Sequence, residues 1–586
     1  MMRKLLMAFI ALSLLLNTEP THAKDSQAAG ANAVRNYDSR FHPVITAHGM
    51  VSSQDELAAI VGRDILARGG NAVDAAVATG FALAVTHPQA GNIGGGGFMV
   101  VHLAKENKTL TIDFREMAPA RATQDMYIGA DGDVDNRLAR SSHLASGVPG
   151  TVMGLLDALE TYGTMTRRQV IGPAIKLADQ GFPLSFAMAQ GLAKRQEFFT
   201  RDASSVEYFS KSGAAYKAGE TFAQKDLAAS LRRIQKQGRD GFYKGKTADL
   251  ITAEMEKGGG LITAEDLANY KAVTREAVMG EYKGYTIASM PPPSSGGVHI
   301  IQMLNMLSSY DLQADGHNSA DYLHKLSEVM RRAFADRSKY LGDPDFADVP
   351  TQALIDPIYN AALAASIDTA RASQSVDIAP AAKMPYESPQ TTHYSVIDKD
   401  GNAVSVTYTL NFSYGSGYTV DGAGFLLNNE MDDFSAKPGA PNGYGLIGGE
   451  ANKIEPRKRP LSSMSPVIVL KDGKAVLVTG SPGGSTIITS VLQMILNVIE
   501  WDMNLAQATS MPRIHHQWLP DVVAVEPGIS LDTLNELEGR GFNLVKDERG
   551  GYARTVLGRV NSVGAGSGVK LGAADTRGPN SAALGH

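Results

Sequence analysis

Cysteine is absent from all 586 residues. That single absence removes disulfides, thiolate metal sites, iron–sulfur clusters and a cysteine nucleophile together. An excess of positive charge is also missing. The formal net charge is −6, so no nucleic-acid partner held by bulk basic charge is expected. Beyond the first two dozen residues there is no apolar run of membrane-spanning length. The early run, Leu5 to Leu16, is broken only by Ser13, preceded by Arg3 and Lys4, and followed by Thr21-His22-Ala23. This is the pattern of a secretory signal peptide, residues 1–23, cleaved after Ala23. Twelve residues fall short of the roughly 20 needed to cross a bilayer. Residues 24–586 are therefore expected to be exported to a bacterial periplasm or the medium, without a stable membrane anchor.

Several familiar catalytic signatures are lacking as well. There is no G-x-S-x-G elbow and no S-x-x-K. Gly245-Lys246-Thr247 resembles the end of a phosphate loop, but its partner Gly241 stands one residue too close. His515-His516 has no third ligand at metal spacing, so these histidines are expected to be structural or on the surface. Neither a metal nor a cofactor site is expected.

What is present is an ordinary globular composition, 43% hydrophobic and 20% charged. The 60 glycines fall in clusters with no G-X-Y period, which excludes collagen and suggests close backbone approaches or flexible lids. Ser53-Gln54-Asp55-Glu56 has the form of a capping box ahead of a helix. Asn71 can cap a second helix, Ala72 to Val85, apolar on every side and hence buried. Gly94 to Gly97 is expected to be a structural turn. Phe98 to Leu103 and Thr109 to Phe114 have strand character. Residues 150–285 are mainly helical in pattern, as are 298–345. Residues 360–390 are rich in Ala, Ser, Asp and Pro and suggest an exposed linker. Alternating runs then flank Asp400-Gly401 and Asp472-Gly473, strong hairpin signals. An apolar helix is expected over Thr486 to Ile499. Helices, hairpins and helices in that order suggest an α/β layered sandwich with largely antiparallel sheets.

The chemistry-bearing segments lie mostly in the last third. They are Gln390-Thr391-Thr392-His393-Tyr394-Ser395, Thr407-Tyr408-Thr409-Leu410-Asn411, Leu427 to Phe434, Arg457 to Pro466 and Thr479-Gly480-Ser481-Pro482-Gly483-Gly484, with Thr111 to Glu116 in the front half. Each alone is weak. Together and in this order the chain resembles the γ-glutamyltransferases (glutathione hydrolases) of the N-terminal-nucleophile hydrolase superfamily, from about residue 40 to about 545.

The resemblance implies an αββα sandwich made jointly by two fragments of one precursor. It implies self-cleavage between Gln390 and Thr391, giving a large subunit, residues 24–390, and a small catalytic subunit, residues 391–586, held as a heterodimer. Thr391 would be both nucleophile and new N-terminus, its α-amine serving as the base that a hydroxyl needs. Thr409 would support Thr391. Asn411, Glu430 and Asp433 would hold the substrate ammonium, and Arg115, Ser462 and Ser463 its carboxylate. Gly483 and Gly484 would form the oxyanion hole before the apolar helix. Tyr444, in the Gly/Pro-rich stretch Pro438 to Gly449, would belong to a lid over the pocket. Expected substrates are glutathione and other γ-glutamyl compounds, with water, amino acids or peptides as acceptors. The rivals are a cephalosporin or glutaryl acylase of the same fold, and a non-catalytic exported binding protein.

Overall fold

The hairpin around Asp400-Gly401 builds the centre of the molecule. Strands Thr392–Ile397 and Ala403–Thr409 pair antiparallel, with Thr392 opposite Tyr408 and Ile397 opposite Ala403. Asp398 closes the turn by accepting from the N–H groups of Asp400 and Asn402. This computed structural model describes residues 40–378, 391–553 and 555–586; the expected signal peptide, residues 1–23, and Gln390 lie outside them.

The hairpin sits in a seven-stranded sheet ordered Ala582–Gly585, Met50–Ser53, Thr392–Ile397, Ala403–Thr409, Gly96–Leu103, Lys108–Phe114, Val273–Glu276. A second seven-stranded sheet is ordered Val44–Thr46, Val569–Ala574, Asn561–Gly566, Lys474–Thr479, Val467–Lys471, Tyr285–Ser289, Val278–Tyr282. All pairings within both are antiparallel.

The period-two alternation of a strand sends its side chains to two faces. Tyr394, Val396, Val404, Val406 and Tyr408 face the helices, packing in one core with the buried helix Ala72–Thr86. Ile397 and Ala403 face the other way, meeting Ile468, Val478 and Val563 of the second sheet. The far side of that sheet is covered by helices Gly296–Leu307, Ala320–Tyr340 and Thr486–Ile499. Three apolar layers separated by two sheets make the αββα sandwich that the resemblance implied. Between the sheets the apolar layer gives way to a polar strip. Ser405 Oγ donates to Thr479 O at 3.0 Å, and Ser395 Oγ to Asn561 O at 2.9 Å. That strip leads to Thr391.

Several expectations need correction. Residues 360–378 are largely exposed, as expected, but are not an unstructured linker. Asp356 caps helix Pro357–Ala365 with Pro at its start, Tyr310 donates its hydroxyl to Ala364 O, and Ser375 is buried against Trp518; residues 379–390 lie outside the described residues. Ser53 ends a strand, and Asp55 is the helix cap, because Ser53 is committed to pairing with Tyr394. The helical stretch stops short of 285: Val273–Glu276 and Val278–Tyr282 are edge strands, one in each sheet. Gly96 and Gly97 belong to a strand, only Gly94 and Gly95 to the approach. His515 and His516, by contrast, have the structural use expected of them: both are buried and hydrogen-bonded to Thr489, Gln517, Asp521 and Trp518.

Candidate active site

Register alone brings the two threonines together. Thr392 faces Tyr408, so one step beyond the last pair Thr391 stands beside Thr409. Thr391 Oγ1 donates to Thr409 Oγ1 at 3.3 Å. Thr409 Oγ1 in turn accepts from the Asn411 N–H at 2.9 Å. Asn411 holds φ +74°, a left-handed conformation that asparagine tolerates better than most residues. The strand end is clamped from the far side, where Asn92 Nδ2 donates to Thr409 O at 2.8 Å. Gly95 approaches so closely that a Cβ there would lie 2.0 Å from Thr409 O. The glycine cluster treated as structural therefore supports this corner of the site.

Thr391 opens on a cavity of about 20 Å³, lined also by Arg115, Arg337, Glu430, Asp433, Tyr444 and Ser463. That is room for about one water. Arg115 lies at its floor, fully buried. It pairs with Glu430, with Asp433 at 2.5 Å and with Glu116 at 3.6 Å. Burial works against this guanidinium, but the three carboxylates outweigh it and hold its pKa above the ordinary value. The carboxylates are pushed the other way. Burial raises Glu116 to about 7, and raises Glu430 and Asp433, with Arg115 opposing in each case. Among the described residues, Glu430 Oε2, both Glu116 carboxylate oxygens and Asn411 Oδ1 are buried without a hydrogen-bond donor. The cluster is thus rich in acceptors and short of donors.

Ser462 and Ser463 follow Arg115's neighbours Pro460 and Leu461, whose carbonyls accept from its guanidinium. Ser463 Oγ accepts from Arg337 Nη2 at 3.2 Å. Arg337 was not anticipated. It is buried, and burial together with Arg115's charge lowers its pKa to about 10, against the opposing pull of Asp433. One signal was available. Arg331 and Arg332 find Glu328 at helical spacing, whereas no carboxylate lies three or four residues from Arg337 in the sequence.

Gly483 and Gly484 have φ +141° and +56° and stand just before helix Thr486–Ile499. A Cβ on Gly484 would lie 2.4 Å from the Tyr444 ring. Among the described residues, nothing accepts their N–H groups. Tyr444 donates its hydroxyl to Asn411 O at 2.8 Å and stacks on Phe412 at 4.9 Å. Asn442 Nδ2 donates to Asp433 Oδ1, and the Gly443 N–H to Asp432 Oδ2. The stretch Pro438 to Gly449 is therefore laid across the cavity and tied to its rim. The structure brings Thr391, Thr409, Asn411, Glu430, Asp433, Arg115, Ser462, Ser463, Gly484 and Tyr444 around one cavity, with Gly483 adjoining Gly484.

The chemistry such an arrangement offers is acyl transfer: a hydroxyl, paired backbone donors, and a charged pocket for a zwitterionic acyl group. Comparisons with known proteins agree. A glutathione hydrolase proenzyme of Escherichia coli (strain K12) is 55% identical over 518 residues, 88% of this chain and 89% of that protein. The solved cephalosporin acylase from Bacillus halodurans superposes with TM-score 0.81 at 27% identity, covering 94% of this chain and 98% of that one. A Helicobacter pylori gamma-glutamyltranspeptidase structure is 45% identical with TM-score 0.55, covering 59% of this chain and 97% of that one. The sequence model of the Gamma-glutamyltranspeptidase family matches residues 58–585, and the chain belongs to that family.

Proposed function

We propose that this protein is an exported, self-cleaving γ-glutamyltransferase and glutathione hydrolase with Thr391 as its nucleophile. The observation that carries the reading is the donor-poor cluster beside Thr391: buried acceptors on Glu430, Glu116 and Asn411 grouped around one arginine. A γ-glutamyl group ends in an ammonium and a carboxylate. The ammonium supplies the missing donors, and Arg115, Ser462 and Ser463 are placed for the carboxylate.

In maturation, Thr391 Oγ attacks the Gln390 carbonyl. The Gln390–Thr391 peptide bond breaks as an ester forms, which frees the Thr391 α-amine, and water then hydrolyses that ester, leaving a Gln390 carboxylate and returning the Thr391 hydroxyl. In turnover, the amine takes the Oγ proton while Oγ attacks the γ-carbonyl. The N–H groups of Gly483 and Gly484 receive the oxyanion. The leaving amine takes the proton as the C–N bond breaks. Water or an amine acceptor then resolves the γ-glutamyl ester. The cavity is too small for a glutamyl group as it stands, so entry requires the Tyr444 loop to swing out.

The acylase reading has the Bacillus halodurans neighbour in its favour. A glutaryl group keeps the carboxylate but lacks the amine, and would leave the buried Glu430 Oε2 without a donor. Export rests on the expected leader; among the described residues no helix is long and apolar enough to cross a membrane. The test is a denaturing gel with N-terminal sequencing, then turnover of γ-glutamyl against glutaryl anilides. We expect two bands with Thr391 leading the smaller, one band for Thr391→Ala, and a γ-glutamyl preference. Cleavage at this bond in Thr391→Ala would refute the nucleophile assignment, and equal turnover of the two anilides the substrate.

A further inference from the structure

Thr391 is part of the wall of two cavities. The second, of about 320 Å³, lies on the other side from the glutamyl cluster and shares none of its other lining residues. Its volume falls in the range of small-ligand sites. Three of its lining residues, Lys194, Arg195 and Arg559, are cationic, and no carboxylate lines it. Among the described residues none of these cations is in an ion pair. Arg559 is partly buried. Its backbone N–H donates to Ser481 Oγ and its Nε to Arg577 O. Gly558, just before it, packs on Gly483, whose Cβ would lie 3.4 Å from the Gly558 Cα. Arg559 is thus fixed to the same turn that carries the oxyanion glycines. Lys194 is exposed at the end of helix Phe186–Lys194.

An acyl transfer at Thr391 needs two recesses that meet at the hydroxyl, one for the acyl group and one for the amine that leaves or arrives. The acid-rich cavity suits the glutamyl zwitterion. We infer that the cationic cavity is the subsite for the leaving peptide and for peptide acceptors, and that it selects those carrying a free C-terminal carboxylate, held by Arg559 with Lys194 and Arg195 contributing. This rests on the γ-glutamyl reading of Thr391. A guanidinium anchored through Nε keeps its remaining N–H groups for a carboxylate. A departing amine and an attacking amine occupy the same position relative to the ester, so one subsite serves both.

The test compares glutathione, its C-terminal carboxamide and a γ-glutamyl anilide as donors. The wild type should favour glutathione over the carboxamide by about tenfold or more in kcat/KM, the effect of one charge-assisted contact. Arg559→Gln should remove most of that preference, lowering kcat/KM for glutathione by a much larger factor than for the carboxamide or the anilide. The double variant K194Q/R195Q, far from the oxyanion turn, should weaken the same preference by a smaller factor, so the idea remains testable if Arg559→Gln does not fold. Indifference of the wild type to the carboxamide, or parallel loss on all three donors in Arg559→Gln, would overturn the inference. Failure of the wild type to cleave any of the three would remove the γ-glutamyl reading, and this inference with it.

Discussion

Arg115 is the point at which the site's charge balance can be measured. Its guanidinium is buried with Glu430, Asp433 and Glu116 around it. Arg115→Gln keeps much of the volume and removes the only cation of this cluster that touches all three acids. Breaking a buried ion pair from one side costs about 3–5 kcal/mol, because the remaining charge is left uncompensated. The cost must depend on pH. The three carboxylates already have raised pKa values in the folded state. An acid whose folded pKa is raised contributes stability below its unfolded pKa and loses it as pH rises through the folded value. Without Arg115 those values rise further, so the variant sheds stability between about pH 5 and 8, while at pH 5 protons partly replace the lost cation. For a chain of this length the unfolding entropy makes 1 kcal/mol worth about 1 °C in Tm. In a Thr391→Ala background, in which the proposed nucleophile is absent and the chain is expected to stay in one piece, we expect Tm to fall by about 3–5 °C at pH 8 and by clearly less at pH 5. Adding Glu430→Gln should restore part of the loss at pH 8. An equal loss at both pH values, or no recovery in the double variant, would show that Arg115 acts by packing and not by balancing charge.

Much of this site was legible because strand register and hairpin chemistry are local. The Asp-Gly turn fixes how Thr392–Ile397 meets Ala403–Thr409, and the pairing then carries Thr391 to Thr409 without any tertiary information. The apolar helix Thr486–Ile499 was legible to the residue, and with it the place of Gly483 and Gly484. What failed was long-range. The composition of residues 360–378 is that of a linker, yet Pro357–Ala365 is a helix because Asp356 and Pro357 start one and Tyr310 and Asn305 hold it. Ser53 looked like a cap until pairing with Tyr394 claimed it. The family pattern assigned Arg115 to a substrate carboxylate and Glu430 and Asp433 to an amine, but no one-dimensional pattern shows that they pair with one another across 315 residues. Arg337 carries no motif; only the lack of a helical partner marks it.

Three further perturbations probe other parts of the same account. Gly484→Ala should cost at least about tenfold in kcat, since a Cβ would lie 2.4 Å from the Tyr444 ring at φ +56° and would displace the N–H proposed as an oxyanion donor; near-normal turnover would remove Gly484 from that role. Asp55 is pushed up to about 6, chiefly by burial. Asp55→Asn keeps the cap acceptor and should raise stability at pH 7.5 by up to about 3 kcal/mol relative to pH 4, because a raised acid loses stability as pH climbs through its folded pKa; a gain that is the same at both pH values would refute this. The last concerns the base. If the Thr391 α-amine accepts the Oγ proton, kcat/KM must rise as that amine loses its own proton, with a reference pKa of about 7.7–8.0. Glu116 ionises near 7 in the adjoining cluster, so a rising limb alone identifies neither group. Glu116→Gln separates them. It removes the Glu116 titration and takes a negative charge from the neighbourhood, so the limb should persist and move slightly toward acid, and it should persist likewise in Glu430→Gln and Asp433→Asn, which remove the other two raised acids. A substrate analogue whose amine has a shifted pKa should leave the limb in place. If the limb disappears in Glu116→Gln, it reports the ionisation of the carboxylate cluster; if it follows the analogue, it reports the substrate. Either result would leave Thr391 without evidence that it serves as its own base.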